Sequence, residues 1–420
     1  MEWIACRFVR VEPRRRVGLF LLGLLAGLPR VNCWTIAEHA GEASPDGMQH
    51  LLARAAWHAD AVRDDLRGYV VDHLADPGAV LVVDETGDLK KGVHTVGVQR
   101  QYTGTAGRIE NAQVGVYLVY AATGGHAFID RALYLPKSWT TEPDRCRAAG
   151  VPDDIKFATK PALAREMIIR ALDAGVPASW VAGDEVYGCD SKLRTGLQER
   201  RIGYVLAVAC DHQVATLAGK HPAKALARRL PARAWNRLSA GAGAKGHRWY
   251  DWALIDIPVD VTDAEVPGSV GDQALLVRRS ISTGELAFYR CYTPVPVPLA
   301  TLVAVAGRRW TIEESFQAGK GLTGLDEHQV RRWISWHRWT ILAMLAHAFL
   351  AVTAATARAQ THPTPGLIAL TANEIRHLFT HLLDHTRHSA PHLLHWSRWR
   401  RRHQARARDC HHCRQTAQLA

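Results

Sequence analysis

The chain has 420 residues, 47% hydrophobic and 22% charged, enough to bury a core in two or three structural units. A formal net charge of +12 calls for a polyanionic partner, with DNA or RNA the default. Eight cysteines scattered from Cys6 to Cys413 make no disulfide framework in a chain this long, which excludes a stapled secreted scaffold and points to a reducing cytoplasm.

Residues 1–75 read as a helical N-terminal region that would contact DNA. The run Val17–Leu28 follows three arginines, but it begins late and is too short to span a bilayer, so it reads as a buried helix and no membrane is expected. Ser44-Pro45-Asp46-Gly47 opens another helix, and Leu51, Leu52, Ala55, Ala56, Ala59 and Val62 continue at helical spacing. Asp76-Pro77-Gly78 then breaks the chain. The unbroken apolar run Ala79–Val83 predicts a buried strand with Asp84 at its carboxyl end. Val114–Tyr120 and Phe128–Leu135 predict two more strands around a turn at Thr123-Gly124-Gly125. Lys160–Gly175 predicts an amphipathic helix, Trp180–Gly183 a short strand ending at Asp184, Ser191–Arg200 a helix, and Tyr204–Ala209 a further strand. Residues 76–210 are thus the first part of a mixed α/β core. Residues 211–300 read as a β-rich insertion: an Ala/Arg-rich helical stretch over 223–235, a Gly-rich stretch over 241–246, then strands at Trp249–Ile257, Gln273–Arg279 and Leu286–Tyr292. Residues 301–355 return to helix and complete the core, and 356–420 form a helical and basic C-terminal tail.

Three acidic residues carry the chemistry. Asp84 and Asp184 end apolar strands, and neighbouring strand ends in one sheet converge. Glu313 lies in a helical pattern with Arg309 and Lys320, which fall within roughly 40° of it on one face at ~100° per residue. Carboxylates so placed would hold a divalent cation, and the flanking cations would hold DNA phosphates. A carboxylate pair also serves glycoside hydrolysis, but the basic charge and the Arg and Lys around Glu313 argue against sugar. No phosphate-binding loop or dinucleotide fingerprint is present, so no nucleotide cofactor is expected.

Arg309-x3-Glu313-x6-Lys320 matches three of the four positions of the Tyr-x2-Arg-x3-Glu-x6-Lys signature of DDE-type bacterial insertion-sequence transposases, the cut-and-paste group with a β-strand insertion before the last Glu. Ala306 stands where that signature has Tyr. The stretches Val83–Gly92, Gln99–Asn111, Leu133–Trp139 and Gly183–Gly188 also resemble one branch of that family, and the likeness runs from about residue 7 to 380. The resemblance implies a ribonuclease-H-like core with Asp84, Asp184 and Glu313 as catalytic ligands of Mg²⁺, for which Mn²⁺ could substitute. It implies double-stranded DNA partners, namely the element's terminal inverted repeats and target DNA, and a homodimer in the DNA complex. The activity implied is strand cleavage and strand transfer; the alternative is a degenerate or domesticated copy that only binds DNA.

Other basic and aromatic residues are candidates for DNA contact. Arg100 and Arg108 flank a Gly-rich stretch that reads either as a loop over phosphates or as a plain hairpin. Lys245, Arg248 and Trp249 place a ring among cations, suited to stacking a base, although Trp is more often core. Trp333, Trp336 and Trp339 read as helix packing, with Arg331, Arg332 and Arg338 solvated or on DNA. Arg398–Arg408 reads as a disordered basic tail, and Cys410-His411-His412-Cys413 lacks the second ligand pair that zinc needs.

Overall fold

The computed structural model describes residues 2–243, 246–258, 271–360, 368–382 and 388–419. By contacts the chain divides into two units, one formed by Met1–Asp65, Ala318–Ala354 and Pro363–Ala420, the other by Leu66–Gln317 and Ala355–His362.

Among the described residues, the second unit is built on a ten-stranded sheet. Its first part contains β1 (Val80–Leu89), β2 (Gln99–Thr103), β3 (Arg108–Ala121), β4 (His126–Leu133), β5 (Trp180–Gly183) and β6 (Gly203–Val208). β1, β5 and β6 run parallel side by side, while β3 pairs antiparallel with β1 on one flank and with β4 on the other. The order β4-β3-β1-β5-β6 with β3 alone reversed is the ribonuclease-H-like arrangement. The apolar runs of β1, β5 and β6 are buried because parallel strands are covered on both faces. Helix Lys160–Asp173 makes the crossover to β5 and buries Ala164, Met167, Ile168 and Ala171.

After a small hairpin of β7 (Gln213–Thr216) and β8 (Gly219–Pro222), the insertion contributes β9 (Asn236–Gly243), β10 (Gly246–Ile257), β11 (Asp272–Arg279) and β12 (Leu286–Thr293). β12 pairs antiparallel with β6, so these strands lengthen the core sheet. The helical reading of 223–235 is corrected: a five-residue helix Ala223–Ala227 and a 3₁₀ turn Ala232–Ala234 flank Pro231, which cannot continue a helix.

The first unit is helical. The buried helix expected over Val17–Leu28 runs instead from Val11 to Leu25, and its Phe20 meets Trp339 edge-on at 5.5 Å. The pattern over 51–62 is not one helix: Asp46–Ala53 ends, and Ala59–Leu74 starts afresh. Arg338 explains the break and corrects the solvated reading. Its guanidinium is buried and donates to the carbonyls of Leu51, Leu52, Ala55 and Trp57, satisfying the end of one helix and the link to the next. Trp336 and Trp339 are buried, as helix packing requires. Helix Trp333–Gln360 is long and apolar enough to cross a bilayer, yet most of its apolar stretch is buried in the protein, as in a core helix. The tail expectation is also corrected, because Arg398–Arg408 lies within helix Ala390–Leu419.

Candidate active site

β1 and β5 pair from Val80↔Trp180 to Val83↔Gly183, and the next residue on each strand is an aspartate. Asp84 and Asp184 therefore lie level with each other, side by side just past the last paired rung of two parallel strands. β1 does not stop there, as the apolar run suggested; its ladder with β3 continues to Leu89↔Ala112, so Asp84 stands inside a strand. β5 does stop. Asp184 caps the short helix Glu185–Gly188, its carboxylate accepting the Val186 N–H at 2.9 Å. Gly188 fits this turn against β6, since a Cβ there would lie 1.8 Å from the Ala207 carbonyl oxygen.

Asp84 is buried, accepts the Glu85 N–H at 2.8 Å, and pairs with Arg309 at 3.4 Å. Burial, and then the charge of Asp184, push its pKa up to about 8, with Arg309 working the other way. Asp184 is also raised, by burial and then by Glu85. Two oxygen donors on fixed backbone that resist ionisation together suit a hard divalent cation, which would offset both charges.

Arg309 joins helix Leu299–Arg308 to helix Trp310–Thr323 with helical backbone angles. Two turns on, Phe316 packs against Phe128 at 5.7 Å and against Tyr117 at 5.6 Å. Tyr117 is the cross-strand partner of Asp84. The helix is thus fixed at Arg309 and at Phe316, and Glu313 lies between these anchors, exposed to solvent. Its neighbour Glu314 is engaged instead: His126 Nε2 lies 3.3 Å from its carboxylate, and His126 Nδ1 lies 2.8 Å from Ser315 Oγ. The His126 contact holds the Glu314 pKa below its ordinary value. Among the described residues, no three His, Cys, Asp or Glu side chains are gathered closely enough to hold a metal. The fold brings together Asp84, Asp184 and Arg309, and Glu313 lies in the first turn of the helix that follows Arg309. Lys320 falls in the last turn of that helix and is half-buried.

One residue of the site had no role in the sequence reading. Successive strand residues face opposite ways, so Glu85 turns from Asp84 to the other side of the sheet. There it accepts Lys160 Nζ at 2.6 Å and the Tyr187 hydroxyl at 2.6 Å. This tether joins β1 to the helix that Asp184 caps. The only sequence signal was the alternation within Asp84-Glu85, which also makes two adjacent acids unable to share one face.

The outlying candidates fare differently. Arg100 and Arg108 are exposed on a β2–β3 hairpin, with Arg108 paired to Glu110 at 2.9 Å. Lys245 lies outside the described residues. Arg248 is half-buried and donates to the carbonyls of Ala240 at 2.9 Å and Gly307 at 3.1 Å, so it clamps the insertion to the helix before Arg309. Trp249 is 53% exposed, whereas Trp252 is core and donates to the Leu238 carbonyl.

A family model described as DDE superfamily endonuclease matches residues 5–252. The probable transposase for insertion sequence element IS701 of Microchaete diplosiphon is 28% identical over 222 residues, covering 52% of this chain and 55% of that protein. The chain therefore spans about half the length of this curated relative. Among solved structures, piggyBac transposase in a synaptic complex with hairpin DNA covers 90% of this chain and 71% of its own, at 11% identity and a TM-score of 0.41. The NurA nuclease from Sulfolobus solfataricus covers 60% and 80%, at 9% identity and a TM-score of 0.27.

Proposed function

The chain belongs to the DDE superfamily endonucleases, and from that premise we propose that it is the transposase of an insertion sequence, acting in the cytoplasm as a homodimer on DNA. It binds the terminal inverted repeats of its element, cuts a strand at each end, and transfers the freed 3′-hydroxyl to target DNA. The observation that carries this reading is the placement of Asp84 and Asp184 level with each other on adjacent parallel strands, with Arg309 against Asp84.

Asp84 and Asp184 would hold a divalent cation, Mg²⁺ or Mn²⁺, with Glu313 as the third ligand. When bound, such an ion activates the attacking oxygen and offsets charge on the leaving oxygen of an in-line phosphoryl transfer. The chain's own groups do the rest. Arg309 holds a phosphate beside the carboxylates and limits their repulsion. Glu85, tied to Lys160 and Tyr187, fixes the backbone from which both aspartates project. Lys320, the exposed Arg100 and Arg108, and Trp249 extend the DNA path, and the helical region 1–75 adds contacts outside the sheet. Cleavage and joining use the same site in turn, with water and then the 3′-hydroxyl as nucleophile, so no covalent enzyme intermediate is needed.

The test is excision in cells from a reporter flanked by the DNA that borders this gene. Wild type should excise, and Asp184→Asn should not, while binding of the ends is retained; Asp84→Asn and Glu313→Gln should behave alike. Equal excision by Asp184→Asn would remove that residue from the chemistry. Binding of the ends without excision by wild type would give the degenerate reading, which Ala306 in the place of the signature Tyr leaves open and the retention of all three acids argues against.

A further inference from the structure

Helix Ala390–Leu419 has two unlike faces. One is packed on its own unit: Trp396 is fully buried and donates to the Glu42 carbonyl at 2.9 Å, His392 and His395 reach the carbonyls of Glu38 and Ala43, and Arg400 pairs with Glu38 at 2.5 Å. Trp399 meets Trp34 edge-on at 4.6 Å and stacks on His403. At ~100° per residue the opposite face carries Arg398, Arg401 and Arg402 within roughly 100° of arc, and all three are exposed. Further along that face, Arg408 is offset by Asp409, 3.6 Å away. The three arginines span ~6 Å of helix axis, about two phosphate steps of a duplex strand at ~3.4 Å each.

We propose that the Arg398–Arg401–Arg402 face is a second DNA-binding surface, a backbone-reading rail that grips duplex phosphates without regard to sequence. The packed aromatic face gives it what a loose basic tail lacks: a fixed orientation, so that three guanidiniums meet the phosphates with little further loss of side-chain and backbone freedom. Guanidinium forks suit phosphate oxygens, which carry no sequence information. The proposal rests on the reading that the chain acts on DNA, but not on the roles of Asp84, Asp184 or Glu313.

The full chain, wild type and the triple variant Arg398→Gln/Arg401→Gln/Arg402→Gln, is titrated with a labelled duplex of unrelated sequence over a salt series. Each phosphate contact contributes ~0.9 to the slope of log K against log salt, so the variant's slope should be shallower by about 2.7, for an unrelated duplex and for the element's ends alike. The triple Arg→Lys variant should keep the wild-type slope. Tryptophan emission, to which all fourteen tryptophans including Trp396 and Trp399 contribute, and the thermal midpoint should match wild type in both. An unchanged slope in the Gln variant with wild-type emission overturns the rail, and so does loss of binding to vesicles of anionic lipid with duplex binding intact. No duplex binding by wild type would instead sink the transposase reading itself.

Discussion

At Asp84 the chemistry and the stability of the fold pull in opposite directions. An unfolded Asp titrates near ~3.9; in the fold, burial and Asp184 raise the value to about 8. Below the unfolded value both states hold the proton and the folded state is not penalised. Between the two values only the folded state holds it, so stability falls as pH rises, by up to about 1.4 kcal/mol per pH unit, and the loss is complete above the folded value. Asp84→Asn should remove this dependence and raise the urea midpoint of the metal-free protein at pH 8.5 more than at pH 5. An identical pH dependence in wild type and variant would show that Asp84 is not held against its charge. Tyr187→Phe tests the tether behind the site. It strips a half-buried carboxylate of one hydrogen bond, which should cost about 1–3 kcal/mol and slow strand cleavage; an unshifted midpoint would mean that Glu85 is held by Lys160 alone. The convergence of Asp84 and Asp184 was legible in the sequence because both follow apolar runs of parallel strands. The Glu85 tether was not, since its partners Lys160 and Tyr187 come from elements 75 and 102 residues away.

Among the elements, the short helix capped by Asp184 depends on how closely it can approach β6. Gly188→Ala would drive a methyl into the Ala207 carbonyl and should destabilise by about 1–3 kcal/mol or more, displacing Asp184 and reducing cleavage. Gly196→Ala, in helix Ser191–Glu199 with only Arg165 Cδ at 3.6 Å, is the control; it should stabilise by about 0.5–1 kcal/mol. If both changes melt alike in thermal denaturation, the close approach at Gly188 is not real. The same contrast explains what could be read from sequence at this scale. Strands buried on both faces announce themselves as apolar runs, so β5 and β6 fell within a residue of expectation. The extension of β1 to Leu89 did not, because Glu85 and Asp88 are held there by the backbone ladder with Val116 and Gln113 of β3 and not by hydrophobic pattern. Arg338 escaped for a related reason: nothing in the spacing of three tryptophans tells that the arginine among them meets four carbonyl groups. The C-terminal helix looked like a disordered run because Arg dominates it, and the aromatic spacing Trp396, Trp399, His403 that seats it was hidden among the charges.

Taken over the whole second unit, the insertion is structural as well as an ornament on the catalytic sheet. β12 continues the ladder from β6, and one apolar cluster joins Val208 of β6 to Val214, Ile257, Leu275, Val277 and Phe288. Burying Leu275, Val277 and Phe288 is worth about 1.5–3 kcal/mol each, so these three alone are comparable with the ~5–15 kcal/mol by which a domain is stable. The insertion also holds the approach to the site: a Cβ at Gly307 would sit 1.9 Å from the Ala240 carbonyl oxygen, and Arg248 spans Ala240 and Gly307 just before Arg309. A chain in which a short linker replaces residues 211–293 should therefore lose more than DNA contacts. It should melt without a cooperative transition by circular dichroism and bind a hydrophobic dye, since β6 becomes a bare edge beside exposed apolar side chains. A deletion variant that stays soluble and melts as sharply as wild type would make the insertion an independent module, and Arg309 would then need another support to reach Asp84.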